Sequence, residues 1–335
     1  MVQRQTRWLV RQALSEGKKA LKRSARAPAT SLGTSRTSPA ADSKGGAWGI
    51  GIATGPAGVR RYRLFKPVNL PRAELCPLIV MLHGCGQSAN EFAASTRMNR
   101  LAALYGFMVL YPEQDRLANA QACWNWFDTR GGSALREASS IVAALEHARA
   151  LHAIDPKRVA IAGLSAGASM AALVALHFPD RFAAVVMHSG VEPTSANSSA
   201  TALAAMRGRY RLANPAPHAA LAQALPALLV IQGSADRVVS KANGMRAAQA
   251  WAERTHAEPK AARVVRRGNR YPFTTMDWFA PKRRLQVTLS EVSGLGHAWS
   301  GGAASHAYSD PKGPDASRMV WAFAQREFCM VRTNS

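Results

Sequence analysis

Ser165, Asp236 and His297 supply a hydroxyl, a carboxylate and an imidazole, in the chain order nucleophile, acid, base. Such a set can pass the hydroxyl proton to the imidazole while the carboxylate fixes the imidazole tautomer, which makes the serine oxygen a nucleophile toward a carbonyl carbon. Ser165 is the centre of Gly163-Leu164-Ser165-Ala166-Gly167. Before it, Arg158-Val159-Ala160-Ile161-Ala162 reads as a short buried strand; after it, Ala168 to Phe178 is rich in Ala, Leu and Met and stops at Pro179. A serine on a sharp strand-to-helix turn needs small neighbours two residues away on each side, because side chains there collide with the adjoining strand or helix. The helix N-terminus also favours negative charge developing above it. The competing reading of the pentapeptide is a Gly-rich turn in another doubly wound fold, one that binds phosphate.

The acid and base candidates each follow a strand-like run. Leu228-Leu229-Val230-Ile231 is apolar and bounded by Pro226 and Gly233, and Asp236 lies just past its end. Leu285 to Val292 alternates like a strand, and His297 follows the turn Ser293-Gly294-Leu295-Gly296. The separations of 71 and 61 residues leave room for one or two strand–helix units each. An Asp after a strand is also a common helix N-cap or turn former, a reading that stays open for Asp236; Asp277 is the next candidate acid. Of nine histidines, only His297 combines a strand end, a Gly-rich turn and a late position. His188 ends the run Ala183 to Met187 and is the rival base, but it precedes both acid candidates.

Around these residues the chain alternates strands and helices. Strands are expected near 48–53, 60–65, 78–82, 108–111, 158–162, 184–188, 227–232 and 285–292, and helices near 91–104, 134–152, 166–178, 241–255 and 315–327. Apolar-run strands alternating with helices predict a mostly parallel, eight-stranded sheet covered on both faces, with the first two strands as an antiparallel edge. That architecture, with the serine turn and the Ser–Asp–His order, is the α/β-hydrolase fold. The loop after the third strand of that fold supplies a backbone donor to the oxyanion hole, beside the amide that follows the nucleophile. His83-Gly84-Cys85-Gly86-Gln87 follows the strand Pro77 to Leu82, so the amides of Cys85 and Ala166 are the candidate donors. Residues 192–217, with three prolines, predict a loop or small cap over the site.

His83-Gly84-Cys85-Gly86-Gln87, Cys123-Trp124-Asn125-Trp126-Phe127, the Ser165 pentapeptide, His188-Ser189-Gly190 and Gly296-His297-Ala298-Trp299-Ser300-Gly301-Gly302 resemble the polyhydroxybutyrate (PHB) depolymerase family of esterases, from about residue 47 onward. The resemblance implies ester hydrolysis with Ser165, Asp236 and His297 as the triad, and a disulfide between Cys85 and Cys123. It extends to feruloyl and acetyl xylan esterases, so it fixes the reaction better than the ester. A hydrolase-fold binding protein without catalysis is the reading from another class. Trp124 and Trp126, with Phe127, and Trp299 beyond His297 are expected to wall an acyl-binding groove, although each Trp could equally be core. The Thr/Ser-rich linker and polymer-binding domain of secreted depolymerases are not seen.

Composition bounds the rest. The chain has 335 residues, a net charge of +23 and 47% hydrophobic residues, enough for one large catalytic domain, expected over 47–335. Residues 1–46 hold ten Lys or Arg against Glu16 and Asp42, and 27–46 are rich in Ala, Ser, Thr and Gly, the composition of a disordered linker. Trp8, Val10, Leu14 and Leu21 could line a short basic helix that lies on an anionic surface, binds an acidic partner or packs on the domain. The tail lacks the apolar core of a Sec signal and has no twin arginine. Basic clusters at Arg263–Arg270 and Lys282-Arg283-Arg284 carry no nucleic-acid motif, and no specific nucleic acid is expected. No metal motif is present and no cofactor is expected. Four cysteines allow three pairings; the Cys85–Cys123 bridge implied by the resemblance would suit an extracellular or periplasmic setting, with an intracellular one as the alternative.

Overall fold

In the computed structural model, which describes residues 45–56, 58–70, 74–209 and 225–333, the apolar and alternating runs become one twisted sheet. Its strands are β1 (Gly46–Gly55), β2 (Gly58–Pro67), β3 (Cys76–Leu82), β4 (Met108–Pro112), β5 (Ile154–Leu164), β6 (Ala184–His188), β7 (Ala227–Gly233), β8 (Glu258–Pro259), β9 (Arg263–Val265), β10 (Phe273–Ala280) and β11 (Arg284–Val292). The order is β1-β2-β4-β3-β5-β6-β7-β11-β10-β8, with β9 also on β10. From β4 through β11 the strands are parallel, while β1 and β2 form an antiparallel edge.

The eight expected strands are all in this sheet. The sequence reading missed β8 to β10, which extend the far edge: β10 runs antiparallel to β11, and β8 and β9 each pair antiparallel with β10. β10 escaped because polar residues interrupt its alternation. Asp277 in its middle is buried and ion-paired with Arg263.

The helices are α1 (Ala89–Thr96), α2 (Met98–Tyr105), α3 (Ser133–Leu151), α4 (Ala166–His177), α5 (Ser199–Met206), α6 (Ala242–Arg254) and α7 (Ala316–Thr333). Alternate residues of β3 explain the two layers. Leu78, Val80 and Leu82 join the core that includes residues of α3, α4 and α6; Ile79 and Met81 join the one that includes residues of α1, α2 and α7. A parallel strand buried on both faces needs this continuous apolar run. Each such fully buried side chain contributes about 1.5–3 kcal/mol relative to exposure.

One helix expectation is corrected. The helix expected at 91–104 is broken at Arg97, whose left-handed backbone (φ 55°) caps α1. Thr96 bonds back to the Phe92 carbonyl, and the Arg97 guanidinium donates to the carbonyls of Gly301 and Gly302 at 2.7 and 2.6 Å. The break therefore serves a tertiary contact, which local propensity cannot report. In the segment expected to be a loop or cap, Ser198 and Thr201 form a reciprocal N-terminal cap that starts α5. Residues 210–217 of that segment, and the basic tail up to residue 44, lie outside the described residues.

Candidate active site

Ser165 sits between β5 and α4 with φ 57° and ψ −121°, a conformation that side-chain-bearing residues rarely hold. The residues two positions to either side must be glycine. A Cβ on Gly163 would stand 2.3 Å from the Gly167 carbonyl carbon, and one on Gly167 would stand 2.2 Å from the Leu82 carbonyl oxygen on β3. The Ser165 amide donates to the His188 carbonyl at 2.9 Å, which locks the turn to β6. The Ala166 amide opens α4 with no partner among the described residues, pointing a free N–H from the positive end of the helix.

Asp236 and His297 stand on the loops after the neighbouring strands β7 and β11. Those loops are latched together. Ser234 and Ala235 donate their amides to the carbonyls of Val292 and Leu295 at 2.9 and 3.0 Å, and the Gly294 amide donates to Ser234 Oγ at 2.9 Å. Asp236 Oδ1 accepts from the amides of Val238 and Val239 at 2.9 Å each, while Oδ2 accepts His297 Nδ1–H at 2.8 Å. Burial alone would raise the Asp236 pKa. The adjacent His297 and the amide donors outweigh it, and the carboxyl is held below its ordinary value. With the proton on Nδ1, His297 Nε2 faces Ser165 Oγ at 3.0 Å as an acceptor. The structure thus brings together the three residues read from the sequence.

The loop after β3 has one amide to offer. Gly84 N–H is taken by Gln87 Oε1 at 2.9 Å and Gly86 N–H by the Gln121 carbonyl at 2.8 Å. The Cys85 amide between them has no partner among the described residues. Cys85 is bonded to Cys123, the pairing implied by the resemblance. His83 is buried and neutral in character, its pKa lowered chiefly by desolvation. Its Nε2 accepts the Gln114 amide at 3.1 Å, so the proton is on Nδ1, which donates to the Gly84 carbonyl at 2.9 Å.

Other expected residues have different places. Trp124 and Trp299 have no exposed surface and Trp126 only 4%, so as the structure stands none of them walls a groove. Each indole N–H of the first two finds a buried acceptor instead: the His83 carbonyl for Trp124, Ser317 Oγ for Trp299. Trp124 belongs to the core on one side of the sheet and Trp299 to the core on the other. His188 is also buried, and its Nε2 accepts the Ser300 amide rather than facing Ser165. Asp277, on β10, is bound to Arg263 of β9 and Thr288 of β11 rather than to His297. Sequence reasoning missed Gln114 and Glu137, which hold the Cys123 loop. The available signal for Glu137 was a carboxylate within the buried stripe Ala134, Ala138, Ile141 of α3.

The esterase PHB depolymerase family model matches residues 61–271, a span that holds Ser165 and Asp236 and ends before His297. Poly(3-hydroxyalkanoate) depolymerase C of Paucimonas lemoignei is 38% identical over 148 residues, 43% of this chain and 35% of its own length. Feruloyl esterase B of Neurospora crassa is 33% identical over 150 residues, 43% of this chain and 47% of its own. The probable acetylxylan esterase A of Neosartorya fischeri is 26% identical over 218 residues, 60% of this chain and 57% of its own. The chain therefore spans from about a third to just over half the length of these relatives. Among solved structures, acetyl xylan esterase from Aspergillus awamori is similar with a TM-score of 0.56 at 21% identity, covering 74% of this chain and 94% of its own. Carboxyl esterase 2 of Tuber melanosporum gives 0.53 at 16%, covering 93% and 97%. At these identities the likeness speaks for the α/β-hydrolase fold. On the extent of the family match, the chain belongs to the esterase PHB depolymerase family.

Proposed function

We propose that this chain is a serine carboxylic-ester hydrolase acting through an acyl-enzyme, with Ser165 as nucleophile, His297 as general base and acid, and Asp236 as the residue that orients His297. The observation that carries it is the unbroken line from Asp236 Oδ2 through His297 to Ser165 Oγ, with contacts of 2.8 and 3.0 Å. His297 Nε2 takes the Ser165 proton as Oγ bonds to the ester carbonyl carbon. The carbonyl oxygen becomes an oxyanion between the amides of Cys85 and Ala166. Collapse breaks the bond to the alcohol, which leaves with the proton from His297. Water then gives a proton to His297 and its oxygen to the acyl carbon, and release of the carboxylic acid restores Ser165.

The proposed substrates are short-chain hydroxyalkanoate esters, by likeness to the depolymerase of Paucimonas lemoignei. A second reading, an acyl-sugar such as a feruloylated or acetylated xylan, is favoured by the likeness to feruloyl esterase B and acetylxylan esterase A. The Cys85–Cys123 bridge supports an oxidising compartment. The test is a fluorophosphonate probe with p-nitrophenyl butyrate. Labelling of Ser165 and loss of turnover in Ser165→Ala are expected. Labelling of Ser169 or Ser189 instead would reject the assignment, and no labelling with no turnover would favour a binding protein. Product release from 3-hydroxybutyrate oligomers against feruloylated or acetylated sugars separates the two ester classes.

A further inference from the structure

Glu137 is a carboxylate with 3% exposure on α3, where apolar neighbours would otherwise continue the stripe. A buried carboxylate is costly unless donors surround it. Three N–H groups do so. The Asn125 amide donates to Oε2 at 2.9 Å, and Asn125 Nδ2 and Gln114 Nε2 donate to Oε1 at 2.6 and 2.7 Å. Gln114 Nε2 also reaches the Cys123 carbonyl at 3.0 Å, and Gln114 Oε1 accepts from Arg60 Nη1 at 2.6 Å. Gln114 thereby bridges a buried guanidinium and a buried carboxylate. The buried Arg60 further stands 5.2 Å from the Trp124 ring centre.

All of these contacts converge on the segment that faces the oxyanion loop. Cys123 is held on both sides, by Gln114 at its carbonyl and by Glu137 at Asn125. Cys123 holds Cys85 covalently. The Gln114 amide holds the His83 ring, and Trp124 holds the His83 carbonyl. Glu137 is thus the fixed point on a long helix from which the 114–125 segment, the disulfide and the Cys85 amide are successively located. An amide donor stabilises a tetrahedral oxyanion only if it is aimed before the charge forms.

We infer that Glu137 is a positioning residue for the oxyanion hole, acting through Asn125, Gln114 and the Cys85–Cys123 bridge on the Cys85 amide. This rests on the ester-hydrolase reading. Glutamine at this position keeps the shape but offers one acceptor oxygen where three donors converge, and its own NH₂ faces one of them. The loop would then relax by some fraction of an ångström while Ser165, His297 and Asp236 keep their contacts.

The experiment measures kcat and KM of Glu137→Gln on p-nitrophenyl butyrate, per site titrated with a fluorophosphonate, together with inhibition by an alkyl boronic acid, whose adduct on Ser165 places an oxygen in the oxyanion position. The expected result is a kcat lower by about 10- to 100-fold, short of the roughly 10²–10³-fold for outright loss of an oxyanion donor. KM should stay within about 3-fold, and boronate affinity should fall in parallel with kcat/KM. Gln114→Met, which cuts the link to Cys123 and also takes one acceptor from Arg60 and one donor from Glu137, should act in the same sense and carries the test alone if Glu137→Gln fails to fold. In a Cys85→Ala, Cys123→Ala background, Glu137→Gln should add less than about 2-fold, because both act through one loop. Unchanged kcat and boronate affinity per titrated site, or full additivity with the disulfide variant, would overturn the inference. A wild type that neither labels nor hydrolyses would remove the ester-hydrolase reading and this inference with it, whereas an active wild type with a fully active Glu137→Gln removes this inference alone.

Discussion

The imidazole of His188 lies against the indole of Trp299, with ring centres 5.0 Å apart and planes 26° from parallel. Both rings are fully buried. The His188 carbonyl accepts the Ser165 amide at 2.9 Å, and its Nε2 accepts the Ser300 amide at 3.1 Å. One residue therefore ties the nucleophile turn to the loop that carries His297. Burial first, and repulsion from His297 second, push the His188 pKa down to about 3 against the attraction of Asp236. His188 is a neutral structural residue at any pH near 7.

Acid should therefore weaken the fold through His188. The unfolded chain takes up this proton near an ordinary pKa of about 6.5, whereas the folded chain does so only at about 3. Between these values the unfolded state binds more protons, so stability falls as pH falls and levels off below the folded value, a loss on the order of a few kcal/mol. Urea unfolding at pH 7, 6, 5 and 4 measures it. His188→Gln, which can still accept the Ser300 amide, should flatten the slope over this window. An unchanged slope in the variant would assign the acid lability to other groups.

Gly167→Ala should invert an ordinary rule. In most helix interiors Gly→Ala stabilises by about 0.5–1 kcal/mol. Here the added methyl would meet the Leu82 and His83 carbonyl oxygens at 2.2 and 2.5 Å, backbone atoms of β3 and the loop after it that have no room to yield. The N-terminus of α4 must shift instead, carrying the Ala166 amide with it. The melting temperature should fall, and kcat should fall by more than the loss of folded protein explains. A variant as stable and active as wild type would mean that the elbow adapts at little cost.

Much of this site could be read from residue types because its chemistry forces local signatures. Ser165 needs glycine two residues to either side, and Asp236 and His297 need strand ends, which appear as apolar runs before turn residues. The triad candidates and all eight expected strands were legible for that reason. Burial of polar groups was not. Asp277 within β10 and Glu137 within α3 each look solvent-facing until their partners, Arg263 and Thr288 or Asn125 and Gln114, arrive from elsewhere in the chain. The break at Arg97 answers carbonyls about 200 residues away in sequence. The tryptophans misled because an aromatic next to a motif residue can pack beneath it as readily as beside the substrate.

Asp236→Asn should leave the fold intact, since its Oδ1 can still accept the amides of Val238 and Val239. Its new NH₂ would face His297 Nδ1, favouring the tautomer with the proton on Nε2, where it cannot accept from Ser165. The expected cost is roughly 10⁴ in kcat with a near-normal melting temperature. Asp277→Asn should lose its ion pair with Arg263 yet keep turnover within a few-fold. Activity retained in the first variant and lost in the second would transfer the acid role to Asp277.

Reduction of the Cys85–Cys123 bridge should separate positioning from binding. The bridge joins residues 38 apart and constrains the unfolded chain, a stabilisation of about 2–4 kcal/mol. Its folded-state role is to hold the loop that carries the Cys85 amide. Dithiothreitol should therefore lower kcat more than it raises KM, and reoxidation should restore it. Cys76 should contribute little, because burial pushes its thiol up to about 11. Cys329, exposed and outside the bridge, is controlled by Cys329→Ser. Non-reducing peptide mapping of protein made in an oxidising compartment should recover Cys85 and Cys123 as one linked pair. Free alkylation of both thiols, with kcat indifferent to dithiothreitol, would show that the oxyanion loop holds its shape without the bridge and would favour a reducing compartment.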